Sequence, residues 1–209
     1  MNRELSMLSS KLFYENRLIC GNEAVSRSSL DRNGDYTVPE GLEEHVRKTL
    51  SGDIADSCIF LDTQSTANLS MQCEDGDGGG MTNDGEAKVI ADLCQRFIES
   101  GVKAHEIGVM SAYRRQVDVM NSFIENDALE VNTIDSYQGR EKRVIIWSLT
   151  YTENSSKKSD LLRDERRINV ALTRARQKLV VVGCRKSAET IPVLFRFSQL
   201  LTNHLIIPH

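Results

Sequence analysis

The segment from Leu161 to Gly183 constrains the fold of this chain more than any other segment. Its sequence, LLRDERRINVALTRARQKLVVVG, predicts a short loop, an amphipathic helix over 164–176 and a buried strand over 179–183. Four apolar residues recur at the spacing of one helix face: Ile168, Ala171, Leu172 and Ala175. A helix that leads directly into an apolar strand indicates an α/β architecture.

Other segments of the chain repeat this alternation of strand and helix. The predicted strands are Ser57–Asp62, Ile107–Ser111, Glu130–Thr133 and Val144–Thr150, and the predicted helices are Glu86–Ser100 and Arg114–Glu125. Strands that alternate with helices of this length imply a parallel sheet covered on both faces. The predicted fold class is therefore α/β, a three-layer αβα sandwich with a mainly parallel sheet.

The length of 209 residues fits one such domain with a short appendage. We expect residues 1–56 to form an N-terminal helical or linker segment and residues 57–209 to form the domain. The acidic, Gly-rich stretch 64–85 predicts a mobile loop, and either Asn83 or Asp84 could cap the following helix.

Composition excludes several classes of protein. Hydrophobic residues make up 40% of the chain and charged residues 27%, and no apolar run is long enough to span a membrane. The five cysteines are scattered without a C-x-x-C pair, so neither a disulfide framework nor a zinc site is predicted. A reducing compartment, cytosolic or nuclear, fits this pattern.

Charge is divided unevenly between the two halves of the chain. Residues 1–100 hold nine Lys or Arg against 18 Asp or Glu, whereas residues 101–209 hold 17 against 12. Such an asymmetry can place a basic, anion-binding surface on the C-terminal half, although a mild excess also occurs in proteins that bind no nucleic acid.

Two arginines lie on the polar face of the predicted helix. Arg167 and Arg174 are seven residues apart, so they share one helix face. Two guanidinium groups held side by side suit a polyphosphate, because the planar fork binds anionic oxygens in pairs. The alternative is a solvated basic face on a packed helix.

A second polar segment, NTIDSYQGREKR at 132–143, lies between two predicted strands. We expect its loop to lie at the carboxyl end of a strand, where parallel sheets bind ligands. Gly139 allows either a positive φ or a close approach of the backbone to a ligand. An ordinary polar loop is the alternative.

A third segment, IGVMSAYRRQ at 107–116, predicts a strand that leads into a helix. Arg114 would begin this helix, where the backbone dipole also favours a phosphate. Tyr113 is as compatible with a core aromatic as with a ligand contact.

Together these segments resemble the motifs of superfamily 1 helicases. RRINVALTRAR at 166–176 resembles motif VI, TIDSYQGRE at 133–141 resembles motif V, and the segment at 107–116 resembles motif IV, all in the family's order. The approach to the helix after residue 83 is also similar, and MNR at the start resembles the end of the Gln-Tyr-Arg-Met-Asn segment that joins the two motor domains. The resemblance implies a second RecA-like motor domain.

The resemblance assigns roles to particular residues. Arg174 would be an arginine finger on the γ-phosphate of ATP, and Arg167 a second catalytic phosphate contact. The implied nucleotide-binding residues are Glu141, Gly139, Gln138 and Arg114. The implied nucleic-acid contacts are Thr133, Ser136 and Tyr113.

Within that superfamily, KLFYENRLICG at 11–21 and RINVALTRARQKLVVVGC at 167–184 are most similar to the eukaryotic DNA-replication helicase/nucleases. The implied function is ATP-dependent 5′-to-3′ unwinding of DNA in replication and repair. The partners would be single-stranded DNA and a first RecA-like domain, and the location the nucleus, with cytoplasm and mitochondrion as further locations. The alternatives are an RNA helicase of the nonsense-decay or transcription-termination type, and a non-hydrolysing module that binds nucleic acid or a partner.

The sequence contains no G-x-x-x-x-G-K-[ST] phosphate-binding loop. Asp164 and Glu165 do not form a Walker B pair, because they begin a helix and follow no apolar strand. The resemblance therefore implies that a first motor domain would hold the Mg²⁺ that accompanies ATP, and that an iron–sulfur cluster would belong to a separate nuclease part. We expect the isolated chain to be inactive as an ATPase.

Overall fold

A computed structural model describes residues 1–31, 34–63, 80–152 and 160–201, together with the backbone of 204–206. The strands are β1 (Cys58–Asp62), β2 (Ile107–Ser111), β3 (Glu130–Thr133), β4 (Lys142–Ser148), β5 (Ala175–Gly183) and β6 (His204–Ile206). The helices are α1 (Arg3–Phe13), α2 (Glu23–Ser26), α3 (Glu44–Leu50), α4 (Asp84–Glu99), α5 (Arg114–Phe123), α6 (Asp160–Arg163), α7 (Glu165–Thr173), α8 (Arg185–Ala188) and α9 (Pro192–Leu200). Short 3₁₀ turns occupy Ile54–Asp56, Ala104–Glu106 and Asp135–Tyr137.

The strands form a single sheet in the order β3-β2-β4-β5-β1-β6, and every neighbouring pair is parallel. Alternate residues of each strand point to opposite faces, as in β4, where Trp147 joins one apolar cluster and Ile146 the other. Helices α1, α7 and α9 cover the first face, and α3, α4 and α5 cover the second. The predicted α/β fold with three layers is confirmed.

The predicted loop over 64–85 is described only in its last residues, and 64–79 lie outside the described ranges. Met81 and Asn83 are buried, and α4 begins at Asp84 rather than at the predicted Glu86. Asn83 is the N-cap, because its side chain accepts a hydrogen bond from the main-chain N–H of Glu86. Asp84 instead lies in the first turn, where its charge complements the helix dipole.

The boundary between α7 and β5 differs from the predicted one. The helix ends at Thr173, and the strand begins at Ala175, four residues before the predicted start. Ala175 pairs with Lys142 of β4, and the N–H of Lys142 donates to the carbonyl oxygen of Arg174 over 3.0 Å. Ladder pairing with β4 therefore ends the helix, although the apolar helical spacing continues through Ala175.

The N-terminal segment packs against the sheet domain. Helix α1 contacts α7, α9 and β5. Asn2 is fully buried, and its Nδ2 atom donates to Ser57 Oγ over 2.7 Å and to the carbonyl oxygen of Gln177 over 3.1 Å. The buried Lys178 of β5 donates from Nζ to the main-chain oxygen of Asp56 over 2.7 Å.

Within the described ranges, no helix combines the length and the apolar character needed to cross a bilayer.

Candidate functional site

The loop of residues 134–141, which carries the second polar segment, crosses from one edge of the sheet to the other. Thr133 ends β3 and Lys142 begins β4. Because the strands are parallel, all of them end on one side of the sheet, here called the carboxyl edge, and begin on the other, the amino edge. The carboxyl end of β3 and the amino end of β4 therefore lie at opposite edges. The expectation that the whole loop lies at a carboxyl edge is therefore wrong. Only its first residues lie there, and its last residues lie at the amino edge.

Tyr137 holds the middle of this loop against the sheet. Its ring is fully buried, and its hydroxyl donates to the main-chain oxygen of Glu130. Burial raises the pKa of Tyr137 above its ordinary value. Gly108 of β2 makes room for the ring, because a Cβ atom at residue 108 would lie 2.7 Å from the tyrosine hydroxyl. The loop thus packs its buried tyrosine at a position of β2 that has no side chain.

The carboxyl edge holds an ion pair between Asp135 and Arg167. Arg167 Nε donates to Asp135 Oδ1 over 2.9 Å, and Nη2 donates to Oδ2 over 3.0 Å. Hydrogen bonding to Asp135 raises the pKa of Arg167, so this guanidinium stays charged. Nearby, the Oγ1 atom of Thr133 and the Oγ atom of Ser136 are 3.0 Å apart. This edge therefore presents a guanidinium, a carboxylate and two hydroxyl groups.

The third polar segment reaches the same edge. Arg114 begins α5 just beyond the carboxyl end of β2, and its side chain is 77% exposed. Its Nε atom lies 3.5 Å from Asp118 Oδ1. Tyr113 is only 5% exposed and packs in the apolar cluster beneath α7. In this conformation the ring of Tyr113 cannot stack on a nucleic-acid base, whereas the side chain of Arg114 is accessible to a phosphate.

Arg174 lies at the amino edge, as the C-cap of α7. Its half-buried guanidinium donates to Val170 O over 3.0 Å, to Thr173 Oγ1 over 2.8 Å and to Arg140 O over 3.1 Å. A guanidinium carries five N–H donors, so these three bonds fix its orientation, and the other two N–H groups have no acceptor among the residues that the structure describes.

Glu141 also lies at the amino edge, where its Oε2 atom is 3.0 Å from Arg176 Nε. Both side chains line a groove of about 990 Å³ between the start of β4 and β5 and the residues of α2. Gln138 and Gly139 are exposed between the two edges, and Gly139 has a φ of 81°. This left-handed conformation favours glycine and lets the chain turn toward β4.

The structure thus divides the residues predicted for the site into two groups. Arg114, Thr133, Ser136 and Arg167 lie at the carboxyl edge, and Arg174 and Glu141 lie at the amino edge. Arg167 and Arg174 are seven residues apart along α7, a rise of roughly 10 Å. They do not form the side-by-side pair that the sequence predicted, because each guanidinium has its own acceptors at its own edge.

A buried polar network, which the sequence pattern did not predict, lies beneath the carboxyl edge. Glu86 of α4 is fully buried, and its Oε2 atom accepts from Ser148 Oγ over 2.6 Å and from the N–H of Thr150 over 2.8 Å. Asn83 and Gln116 complete the network, with Asn83 N donating to Gln116 Oε1 over 2.7 Å. Burial raises the pKa of Glu86 to about 7, although the bonds from Ser148 and Thr150 oppose that shift. Polar residues at the end of the apolar run VIIWSLT were the available signal.

The donors at these edges suit phosphate groups better than metals. In the ranges that the structure covers, no three His, Cys, Asp or Glu side chains come together as metal ligands. Four cysteines are described there, all as free thiols: Cys20, Cys58, Cys94 and Cys184. These residues do not fit an iron–sulfur cluster. The remaining N–H groups of Arg174 do fit an anionic oxygen.

Comparisons with known proteins identify the family of the chain. A family model described as an AAA domain matches residues 1–186. The DNA replication ATP-dependent helicase/nuclease DNA2 of Xenopus tropicalis is 37% identical over 94% of this chain, and that of Homo sapiens is 33% identical over 98%. The protein of the same name from Saccharomyces cerevisiae is 31% identical over 95%. The chain spans only 19%, 19% and 13% of the length of these relatives.

Proposed function

The chain belongs to the AAA domain family, as a second RecA-like motor domain of the superfamily 1 helicase type, and on that premise we propose that it forms half of an ATP-driven DNA helicase. The observation that carries the proposal is the guanidinium of Arg174, which three protein acceptors orient while two N–H groups stay available. An oriented donor needs no reorganisation when charge develops on a phosphoryl oxygen.

In this proposal Arg174 is the arginine finger. A partner motor domain would bring the γ-phosphate of ATP to the amino edge, and the outer N–H groups of Arg174 would donate to its oxygens. Negative charge on those oxygens increases in the transition state, so the finger accelerates phosphoryl transfer more than it strengthens ATP binding. Glu141 lies close enough to this edge to contact the ribose.

The Mg²⁺ ion that accompanies ATP would be held by the partner motor domain. The described residues hold no acidic cluster for this ion, and the sequence has no phosphate-binding loop. In this chain the contribution to catalysis would be positive charge and orientation. An iron–sulfur cluster and a nuclease site would belong to other parts of a longer protein.

The carboxyl edge would form part of a track for single-stranded DNA. Thr133 and Ser136 offer hydroxyl groups, which bind backbone phosphates without sequence preference. Arg114, which the resemblance assigned to the nucleotide, lies at this same edge with an exposed guanidinium, and in this proposal it contacts the DNA backbone instead. The similar relatives are named as DNA replication helicase/nucleases, which supports DNA rather than RNA as the strand and replication as the setting. A role in repair and a nuclear location are further parts of the proposal. Movement in the 5′-to-3′ direction is part of the same proposal.

The test is a fusion of this chain to the first motor domain of one of the named relatives. We expect single-stranded DNA to stimulate its ATP hydrolysis more than single-stranded RNA does, and we expect it to unwind a duplex with a 5′ tail. Stimulation by RNA alone would favour the RNA helicase alternative. Binding of either strand without hydrolysis would favour a non-hydrolysing module.

A further inference from the structure

The guanidinium of Arg167 is paired with a carboxylate of its own chain, that of Asp135. Asp135 accepts two nearly equal hydrogen bonds from Nε and Nη2, at 2.9 and 3.0 Å. Carboxylate and phosphate are the two anions that a guanidinium binds in this paired geometry. Asp135 therefore occupies the place that a phosphate would take on Arg167.

The two partners differ in exposure. The side chain of Asp135 is 66% exposed, whereas that of Arg167 is 20% exposed. The guanidinium of Arg167 has two further contacts that fix its position. Its Nη1 atom donates to the main-chain oxygen of Leu161 over 3.4 Å and lies 3.9 Å from Asp164 Oδ2. The carboxylate can thus move into water while the guanidinium keeps its position, and a phosphate can replace the carboxylate because it accepts the same two hydrogen bonds.

The surroundings of the pair suit the backbone of a nucleic-acid strand. The hydroxyls of Thr133 and Ser136 flank Asp135 in sequence and lie at the same edge of the sheet. Arg174 and Glu141, to which the nucleotide is assigned, lie at the other edge. A DNA strand that follows the carboxyl edge would reach Arg167 without passing Arg174 and Glu141.

We propose that Arg167 binds a backbone phosphate of single-stranded DNA and that Asp135 keeps this phosphate site closed until the strand arrives. The proposal deepens the proposed function, because it rests on the carboxyl edge as the DNA track. It replaces the role that family resemblance gives to Arg167, a second contact to ATP. On binding, the phosphate takes the two N–H donors and the carboxylate of Asp135 returns to water.

The experiment measures binding of a labelled single-stranded oligonucleotide to the 209-residue chain over a range of salt concentrations. Asp135→Asn removes the competing charge and should tighten binding about threefold or more beyond a matched control, since the phosphate no longer has to displace a carboxylate from Arg167. The control is Glu125→Gln, which removes one exposed carboxylate from the loop after α5. Arg167→Gln should weaken binding and reduce the slope of log K against log salt by about 0.7.

The double variant Asp135→Asn/Arg167→Gln separates competition from a general charge effect. If Asp135 acts by closing Arg167, its replacement brings no gain once Arg167 is absent. A gain that persists in the double variant, or one no larger than that of Glu125→Gln, overturns the proposal. Melting temperatures check that each variant is folded, and Asp135→Ser replaces Asp135→Asn if that variant is not.

A fluorescent ATP analogue, bound to the two-domain fusion that contains the phosphate-binding loop, distinguishes the two sources of phosphate. We expect Asp135→Asn to leave its affinity unchanged. Tighter binding of the analogue without tighter binding of DNA would assign Arg167 to the nucleotide and overturn the proposal. Failure of the proposed function would give a different result: the two-domain fusion would not hydrolyse ATP, whatever the isolated chain binds.

Discussion

Arg174 donates a hydrogen bond from Nη1 to the main-chain oxygen of Arg140 over 3.1 Å. The two residues stand just before β5 and β4, respectively, and these strands pair directly. The orientation of the guanidinium is thus set by the loop 134–141 as well as by α7. Replacing this side chain should affect both the reaction and the local fold.

Arg174→Ala in the two-domain fusion should lower kcat for ATP roughly 10³-fold or more, by the measure of other arginine fingers. The KM for ATP should change much less, because the finger acts on charge that develops in the transition state. Arg174→Lys should restore little activity, since an ammonium cannot reproduce the planar fork. Steady-state hydrolysis at saturating DNA measures both constants.

The same variant should also lose stability, about 1–2 kcal/mol, because three hydrogen bonds from a charged group disappear. From the sequence alone we would expect almost no change for a side chain that faces an open cleft. Arg196→Ala, which removes an exposed arginine on α9, is the control and should leave kcat unchanged. Lost stability with normal kcat in the folded fraction would contradict the finger assignment.

The isolated 209-residue chain should not hydrolyse ATP at about 1 s⁻¹, an ordinary enzyme rate. Its sequence has no phosphate-binding loop, and Arg174 supplies only charge. A sensitive phosphate-release assay with single-stranded DNA checks this expectation, and turnover at that rate would show that the chain carries a complete ATPase site.

Gly108→Ala should destabilise the chain by about 1–3 kcal/mol, as expected for overpacking a buried site. The new methyl group would meet the Tyr137 hydroxyl at 2.7 Å and Ile145 Cδ1 at 2.8 Å. Urea unfolding measures the change. Gly21→Ala is the matched control, because nothing lies within 4 Å of its added Cβ atom. Equal stability of the two variants would mean that the ring of Tyr137 does not depend on Gly108.

Glu86→Gln should change how stability depends on pH. Burial raises the pKa of Glu86 from 4.5 to about 7, so the folded chain binds more protons than the unfolded chain between these values. Its contribution to stability is therefore complete below pH 4.5 and is lost as pH rises to 7, by up to about 3 kcal/mol. Glutamine does not titrate, so the variant should lack this part of the slope.

Denaturant unfolding of both proteins between pH 3 and 7.5 gives the comparison. The informative quantity is the difference between the two curves, because other groups titrate equally in both. A difference that is constant across this range would show that Glu86 keeps an ordinary pKa despite its burial. A difference that moves in the opposite direction would mean that the bonds from Ser148 and Thr150 outweigh burial.

Local pattern predicted much of the fold. The bounds of β2 and β3 agree with the predicted ones, because a short apolar or alternating run with turn residues on either side leaves little choice. The junction of α7 and β5 could not be predicted in this way. Ala175 satisfies the apolar spacing of the helix, and only its pairing with Lys142 places it in the sheet.

In the candidate site, too, local pattern predicted some features and left others to long-range contacts. Sequence pattern and resemblance identified Arg167, Asp135 and Arg174 as members of polar segments, but not the edge at which each lies. That depends on the path of loop 134–141, along which the buried Tyr137 packs against β2 at Gly108. Contacts between residues far apart in sequence leave no periodic signal, so the separation of the two arginines emerged only from the structure.

A single residue, Arg174, separates the last helical residue, Thr173, from the first strand residue, Ala175. No loop therefore lies between the helix and the strand that could accommodate an insertion or a deletion. One added residue in α7 would rotate everything before it by about 100° relative to Arg174 and turn Arg167 away from Asp135. Helix α7 thus works as a spacer of fixed length between the two edges, and its residues can be exchanged more readily than their number.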